Sequence, residues 1–162
     1  MCGIAGFVNV LKNFDESQNI SLLNKFCKIL DHRGPDSSGI WYDFKSKVFL
    51  AHTRLSINDL TITGSQPMVN DQNNHIIIFN GEIYNHMNIR KTILKDYNIN
   101  WRGNSDTETL LKTIQYLGIK KTLDHLEGMF SFCLFDKKFN KIFLVRDKYG
   151  EKPLYYGSVN QN

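Results

Sequence analysis

Long apolar runs are missing from this chain. The longest, "HIIIF" and "KIFLV", are strand-sized, far short of the roughly 20 residues that a helix needs to cross a bilayer. No basic region, apolar core and cleavage site line up at the N-terminus, so no secretory signal is expected. The chain reads as cytoplasmic, with no membrane partner. Cysteine is scarce: three residues, an odd number, with no CxxC pair. That argues against a disulfide framework and against a cysteine zinc site. The five histidines show no HExxH or comparable spacing, so no metal site is expected. Twenty basic residues against 16 acidic ones give a net charge of +4, but they are scattered without aromatic interleaving, so no nucleic-acid surface is expected. Repeats and low-complexity linkers are also lacking.

What is present describes one globular domain. At 162 residues, 41% apolar and 22% charged, the chain can bury a core. Residues 2–9 read as a buried strand. "SQNISLLNKFCKIL" carries Leu22, Leu23, Phe26, Cys27 and Leu30 at helical spacing. "DHRGPDSSG" is a turn-rich loop, followed by strands near 39–44 and 47–53. Residues 55–73 look like a structured loop over a site. "HIIIFNGEIYN" is a strand running into Gly81, and 86–97 looks helical through Ile89, Ile93, Leu94 and Tyr97. "SDTETLLKTIQYLG" is a helix with Ser105 and Glu108 as a capping box and Gly118 as its stop. A short helix near 119–126 and a hairpin through "DKKFNK" follow, and "KPLYYG" starts a further strand. Six or seven strands with helices inserted in groups favour an α+β layered sandwich of antiparallel sheets.

Chemistry can sit in few places. Cys133, inside "FSFCLF", reads as a packed, inert thiol, and Cys27 faces the core of its helix. Cys2 is different. If Met1 is removed, Cys2 carries an α-amine (pKa about 8) and a thiol (about 8.5) on one carbon. The amine can then serve as general base for its own nucleophile. The plain alternative is a core cysteine in a first strand. Asn80 and Gly81 offer two neutral donors of the kind that form an oxyanion hole, although "NG" is also a common turn signal. Arg54 can clamp a carboxylate with two parallel hydrogen bonds, or lie solvated on the surface. Glu82 and Asp106 can hold an ammonium, and Asp106 also suits a helix first turn. Together these groups describe a pocket for a zwitterionic amino acid.

The segments "MCGIAGF", "HRGPDSSG", "AHTRLSI", "QPM", "FNGEIYN", "SDTETLL", "LEGMFSFCLFD" and "LVRDKYGEKPLYY" resemble, in order and nearly end to end, the glutamine amidotransferase domain of asparagine synthetase. "RGPD" and "RLSI" match that branch, whereas the glucosamine-phosphate-synthase branch has "RGYD" and "RWAT"-like segments and the phosphoribosylamine-forming branch "RGQD". The resemblance implies a four-layer αββα sandwich of the N-terminal-nucleophile hydrolase type over residues 2–162. It implies Cys2 as nucleophile and Asn80 and Gly81 as oxyanion hole and substrate contacts. It implies Arg54 on the glutamine carboxylate, Leu55, Ser56, Ile57 and Asn58 lining the pocket, and Glu82 and Asp106 on the amino group. Arg33, Gly34, Pro35 and Asp36 would support the nucleophile strand. Asn58 departs from the aliphatic residue common there.

The implied reaction is hydrolysis of L-glutamine to glutamate and ammonia through a cysteine thioester, without a cofactor in this domain. The ammonia would pass to a synthetase domain or subunit, to which ATP and magnesium would belong. No "SGG"-type phosphate loop of that second domain occurs in the sequence. The domain's own C-terminal part is expected to be missing, which makes the chain a truncated or split form. A silent glutamine- or partner-binding remnant and an ammonia acceptor other than aspartate are the alternatives.

Overall fold

A computed structural model describes residues 1–9, 15–57 and 59–158. In chain order the elements are β1 (Gly3–Val8), α1 (Glu16–Leu30), β2 (Ser37–Asp43), β3 (Val48–Arg54), β4 (Met68–Val69), β5 (His75–Ile83), α2 (His86–Thr92), α3 (Asp106–Leu117), α4 (Ile119–Leu123), β6 (Gly128–Asp136) and β7 (Lys141–Arg146). The strands form a three-stranded sheet, β1-β3-β2, and a four-stranded sheet, β4-β5-β6-β7. Every pairing between these strands is antiparallel.

The period of two along each strand sorts side chains into layers. Val48 and Leu50 of β3 meet Ile76, Ile78, Cys133 and Phe135 of the other sheet. The alternate residues Phe49 and Ala51 turn the other way, onto Leu23 of α1. On the far side, Ile77, Phe79, Phe130, Phe132 and Leu134 pack on Ile89 of α2 and Leu110, Leu111 and Ile114 of α3. The order is therefore helix, sheet, sheet, helices. Each fully buried Ile, Leu or Phe in these layers contributes roughly 1.5–3 kcal/mol relative to exposure.

The same alternation places the polar groups. Continuing from Leu50, Ile78 and Cys133 along their strands, His52 and Arg54, Asn80 and Glu82, and Ser131 fall on the face between the sheets. Cys2, just ahead of β1, extends the row of Ile4. The apolar layer between the sheets thus ends in a polar rim, and the candidate site is that rim.

Several local expectations change. Leu22 is 38% exposed, and Leu23 takes the inward position of α1. The second helix stops at Thr92. The N–H groups of both Ile93 and Leu94 reach the Ile89 carbonyl at 3.0 Å, a widened turn that keeps Leu94 buried while ending the helical register. Tyr97 then packs at a tilt of 37° against Tyr116, with ring centroids 4.5 Å apart. β5 does not end at Gly81 but stays paired to Ile83 opposite Gly128. Gly81 is needed there because a Cβ would collide with the Met129 carbonyl and Phe130. Ser105 caps α3 as expected, accepting from Glu108 N at 3.1 Å. The Glu108 carboxylate does not complete a capping box: it accepts from the Arg102 and Gly103 amides at 2.8 and 3.0 Å. No strand forms at "KPLYYG"; residues 151–158 are irregular, and Tyr155 is 92% exposed.

Candidate active site

Cys2, Arg54, Leu55, Ile57, Asn80, Gly81, Glu82 and Asp106 line one cavity of about 100 Å³, into which Met1 also projects. Residues far apart in sequence converge there because β1 begins, and β3 and β5 end, at the same edge of the sandwich. Ser56 is not part of the wall; its N–H is given to Asp36 Oδ2 at 2.7 Å. Asn58 lies outside the described residues.

The thiol of Cys2 is half-buried and clasped by the backbone of Leu55. The Leu55 N–H donates to Sγ at 3.4 Å, and Sγ lies 3.7 Å from the Leu55 carbonyl. Arg33 Nε donates to the Cys2 carbonyl at 3.2 Å. The turn carrying Arg33 is pinned to β3: Asp36 N–H donates to the Arg54 carbonyl at 3.1 Å, and Pro35 bridges Arg54. A Cβ on Gly34 would strike the Thr53–Arg54 backbone, so the "RGPD" turn needs glycine there. These contacts tie the turn of Arg33, Gly34, Pro35 and Asp36 to the Cys2 carbonyl and to β3.

Arg54 is only 8% exposed. Its guanidinium donates to the Thr61 carbonyl at 2.8 Å and to the Asp59 carbonyl, which leaves part of the fork free toward the cavity. The Asp59 carboxylate in turn accepts from Thr61 N, Thr61 Oγ1 and Thr63 Oγ1 at 2.8, 2.6 and 2.9 Å, fixing the loop that presents both carbonyls. Burial works against ionisation of Asp59, but these hydrogen bonds hold its pKa below the ordinary value. Asp106 opens α3, and its carboxylate accepts from Ile83 N–H at 3.0 Å and from Thr107 N–H at 2.8 Å. Burial pushes its pKa above the ordinary carboxylate value, against those two bonds. An arriving ammonium would be drawn to it.

The family described as the glutamine amidotransferase domain matches residues 1–162. The chain belongs to this family. It is 38% identical over 157 residues to asparagine synthetase B (glutamine-hydrolyzing) of Escherichia coli K12, covering 97% of this chain and 27% of that protein. It is 36% identical over 156 residues to asparagine synthetase 2 (glutamine-hydrolyzing) of Bacillus subtilis 168, covering 96% and 20%. Amidase chry2 of Gibberella zeae is 34% identical over 169 residues, covering 100% of this chain and 25% of that protein. Among solved structures, glutamine phosphoribosylpyrophosphate amidotransferase of Bacillus subtilis superposes with a TM-score of 0.63 at 18% identity, over 85% of this chain and 35% of that one. That likeness shows a shared fold. The chain spans about a fifth to just over a quarter of the length of these curated relatives.

Several residues of this amidotransferase domain shape the site from positions where residue type and spacing alone point to no role. Gln66 ties the loop to both neighbours: Oε1 accepts from Phe79 N–H at 2.6 Å, and Nε2 donates to Thr107 Oγ1 at 3.3 Å. Arg90 stacks 3.7 Å over Trp101 and donates to the Gly103 and Ser105 carbonyls at 2.9 and 3.0 Å, which sets the start of α3 and hence Asp106. Lys152 lines the cavity from the loop after β7.

His52 is fully buried under the rim, with Nε2 3.2 Å from the Phe79 carbonyl, one residue before Asn80. Burial lowers its pKa from 6.5 to about 4. The folded state therefore holds this ring neutral where the unfolded chain would protonate it. Folding therefore carries no protonation penalty from this ring above pH 6.5, and a penalty that grows to about 3 kcal/mol as pH falls to 4 and below. The urea midpoint of the wild type should thus fall more steeply between pH 7 and 4 than that of His52→Gln. Equal slopes would show that His52 does not titrate in this way.

Proposed function

We propose that this chain hydrolyses L-glutamine to glutamate and ammonia, with Cys2 as the N-terminal nucleophile of an αββα sandwich. The observation that carries this reading is the convergence of Cys2, Asn80, Gly81, Arg54 and Asp106 on one cavity. Arg54 takes the α-carboxylate, and Asp106 with Glu82 takes the α-ammonium. The side-chain amide is then left facing Cys2. The α-amine of Cys2 accepts the thiol proton as sulfur attacks the amide carbon. The Asn80 side-chain amide and the Gly81 N–H stabilise the tetrahedral oxyanion. Collapse breaks the C–N bond, the ammonium of Cys2 returns the proton to the leaving nitrogen, and ammonia departs from a γ-glutamyl thioester. Water, deprotonated by the same amine, cleaves the thioester to glutamate and restores the thiol. The thiol, the Asn80 and Gly81 donors and the Arg54 and Asp106 anchors line the cavity, and the amine is freed when Met1 leaves.

The ammonia feeds an ATP-dependent amidation of the asparagine-synthetase type, a reading supported by the names of two of the relatives above. The similarity to an amidase points to a second possibility for the acceptor, a substrate other than aspartate. Glutamate release by the purified chain, with Cys2 exposed as its first residue, tests the glutaminase. Asn80→Ala should lower kcat on the order of a hundredfold or more with a smaller change in KM, because this donor acts on charge that develops in the transition state. An effect confined to KM would reduce Asn80 to a binding contact.

A further inference from the structure

The loop Asp147–Lys152 is built more firmly than a connection after β7 requires. The Asp147 carboxylate accepts from the backbone N–H groups of Phe130, Tyr149, Glu151 and Lys152 at 3.1, 3.0, 2.9 and 3.0 Å. Arg146 Nε donates to the Lys152 carbonyl at 2.8 Å. Gly150 takes a φ of 69°, and a Cβ there would press on the Arg146 guanidinium. The backbone of Lys152 is thus fixed at both its N–H and its carbonyl. Its side chain takes no part in that clasp and lines the same cavity as Cys2.

Lys152 is only 6% exposed, and among the described residues no carboxylate lies within ion-pair distance of its ammonium. Its partner is the Met1 thioether, 2.9 Å away. Burying a charge is costly unless it is paired, and thioether sulfur is a weak acceptor. The partner is also one that leaves when Cys2 becomes the first residue. The ammonium then faces a cavity whose new occupant is the α-amine of Cys2.

We propose that Lys152 is a positioning charge for the nucleophile: with Met1 gone, its ammonium disfavours protonation of the Cys2 α-amine and so keeps that amine able to accept the thiol proton. This rests on the reading of Cys2 as an N-terminal nucleophile. The other charged groups at the site divide. Glu82 from β5 and Asp106 from α3 favour a protonated amine. Arg54 from β3 opposes it from a guanidinium held by the Asp59 and Thr61 carbonyls, and Arg33 opposes it from the Cys2 carbonyl. Asp59 favours protonation but is occupied by Thr61 and Thr63. Without Lys152 the balance moves toward the carboxylates, and the amine stays protonated to higher pH.

The test uses chain with Cys2 exposed, verified by intact mass, as wild type, Lys152→Met and Lys152→Arg. Cysteine is labelled with carbon-13, and the Cys2 Cα shift is followed against pH. The midpoint of the amine titration should move up by about half a unit to one unit in Lys152→Met and return in Lys152→Arg. With L-glutamine as substrate, the acid limb of kcat/KM should shift in step. The loss in Lys152→Met would then be roughly threefold to tenfold below the limb and small above it. An unmoved midpoint, or a rate loss equal at every pH, overturns the role of Lys152 while leaving the glutaminase intact. A moved midpoint in a wild type that does not hydrolyse glutamine keeps the role of Lys152 and removes the glutaminase reading.

Discussion

Cys2→Ala will release no glutamate from glutamine above background, yet will fold with nearly wild-type stability. The thiol is half-buried, and its contacts with Leu55 are long, 3.4 and 3.7 Å, so little packing is lost. Cys133→Ala should do the reverse. Cys133 is buried between the sheets among Val48, Ile78 and Phe135, and burial pushes its thiol up to about 12, so it stays protonated and inert. Removing its sulfur leaves a small cavity at a cost of about 1 kcal/mol, with turnover unchanged. Chain that retains Met1 should behave like Cys2→Ala, because an amide nitrogen at Cys2 accepts no proton and the Met1 side chain stays in the cavity. Glutamate assay, intact mass and a urea midpoint on the same samples decide the matter. Full turnover by the Met1-retaining chain would end the N-terminal-nucleophile reading.

The parts of this fold that were legible in the sequence are those whose causes are local. α3 is marked by Ser105 at its start, a leucine and isoleucine stripe, and Gly118 at φ 76°. The strands that carry the core are marked by the short apolar runs "HIIIF" and "FSFCLF". The failures have non-local causes. "NG" signals a turn, but here β6 lies against it and carries the strand on to Ile83; the glycine serves close approach rather than chain reversal. Glu108 fits a capping box by spacing, but Arg90 and Arg102, 3.6 Å from its carboxylate, and two loop amides compete for it.

The site divides in the same way. Cys2 stands out by position, and Asn80, Arg54 and Asp106 by residue type at the ends of recognisable elements. Their meeting at one edge of the sandwich is a consequence of register, which pairs Gly3 with Thr53 and Asn80 with Ser131. Arg90, Gln66 and Lys152 act through single tertiary contacts that leave no period, spacing or cap in the sequence. Gln66 and Lys152 reach the cavity from loops, whereas Arg90 acts from α2 on the start of α3.

Arg54→Ala should raise KM for glutamine far more than it lowers kcat. Truncating a buried, charge-assisted partner costs about 2–5 kcal/mol, some thirtyfold or more in kcat/KM, and a contact alike in ground and transition states appears mainly in KM. The structure adds a complication. Arg54 also holds the carbonyls of Asp59 and Thr61, so the substitution loosens a wall of the cavity as well as removing the clamp. The two effects separate on 4-aminobutanamide, which is glutamine without its α-carboxylate. A loosened wall penalises both substrates alike, whereas loss of the clamp penalises glutamine alone. The wild type should therefore prefer glutamine strongly, and Arg54→Ala should erase most of that preference. Arg54→Lys should fall between, since it keeps the charge but not the planar fork. If the preference survives in Arg54→Ala, another group reads the carboxylate, and the substrate does not lie in the cavity with its α-carbon between Arg54 and Asp106.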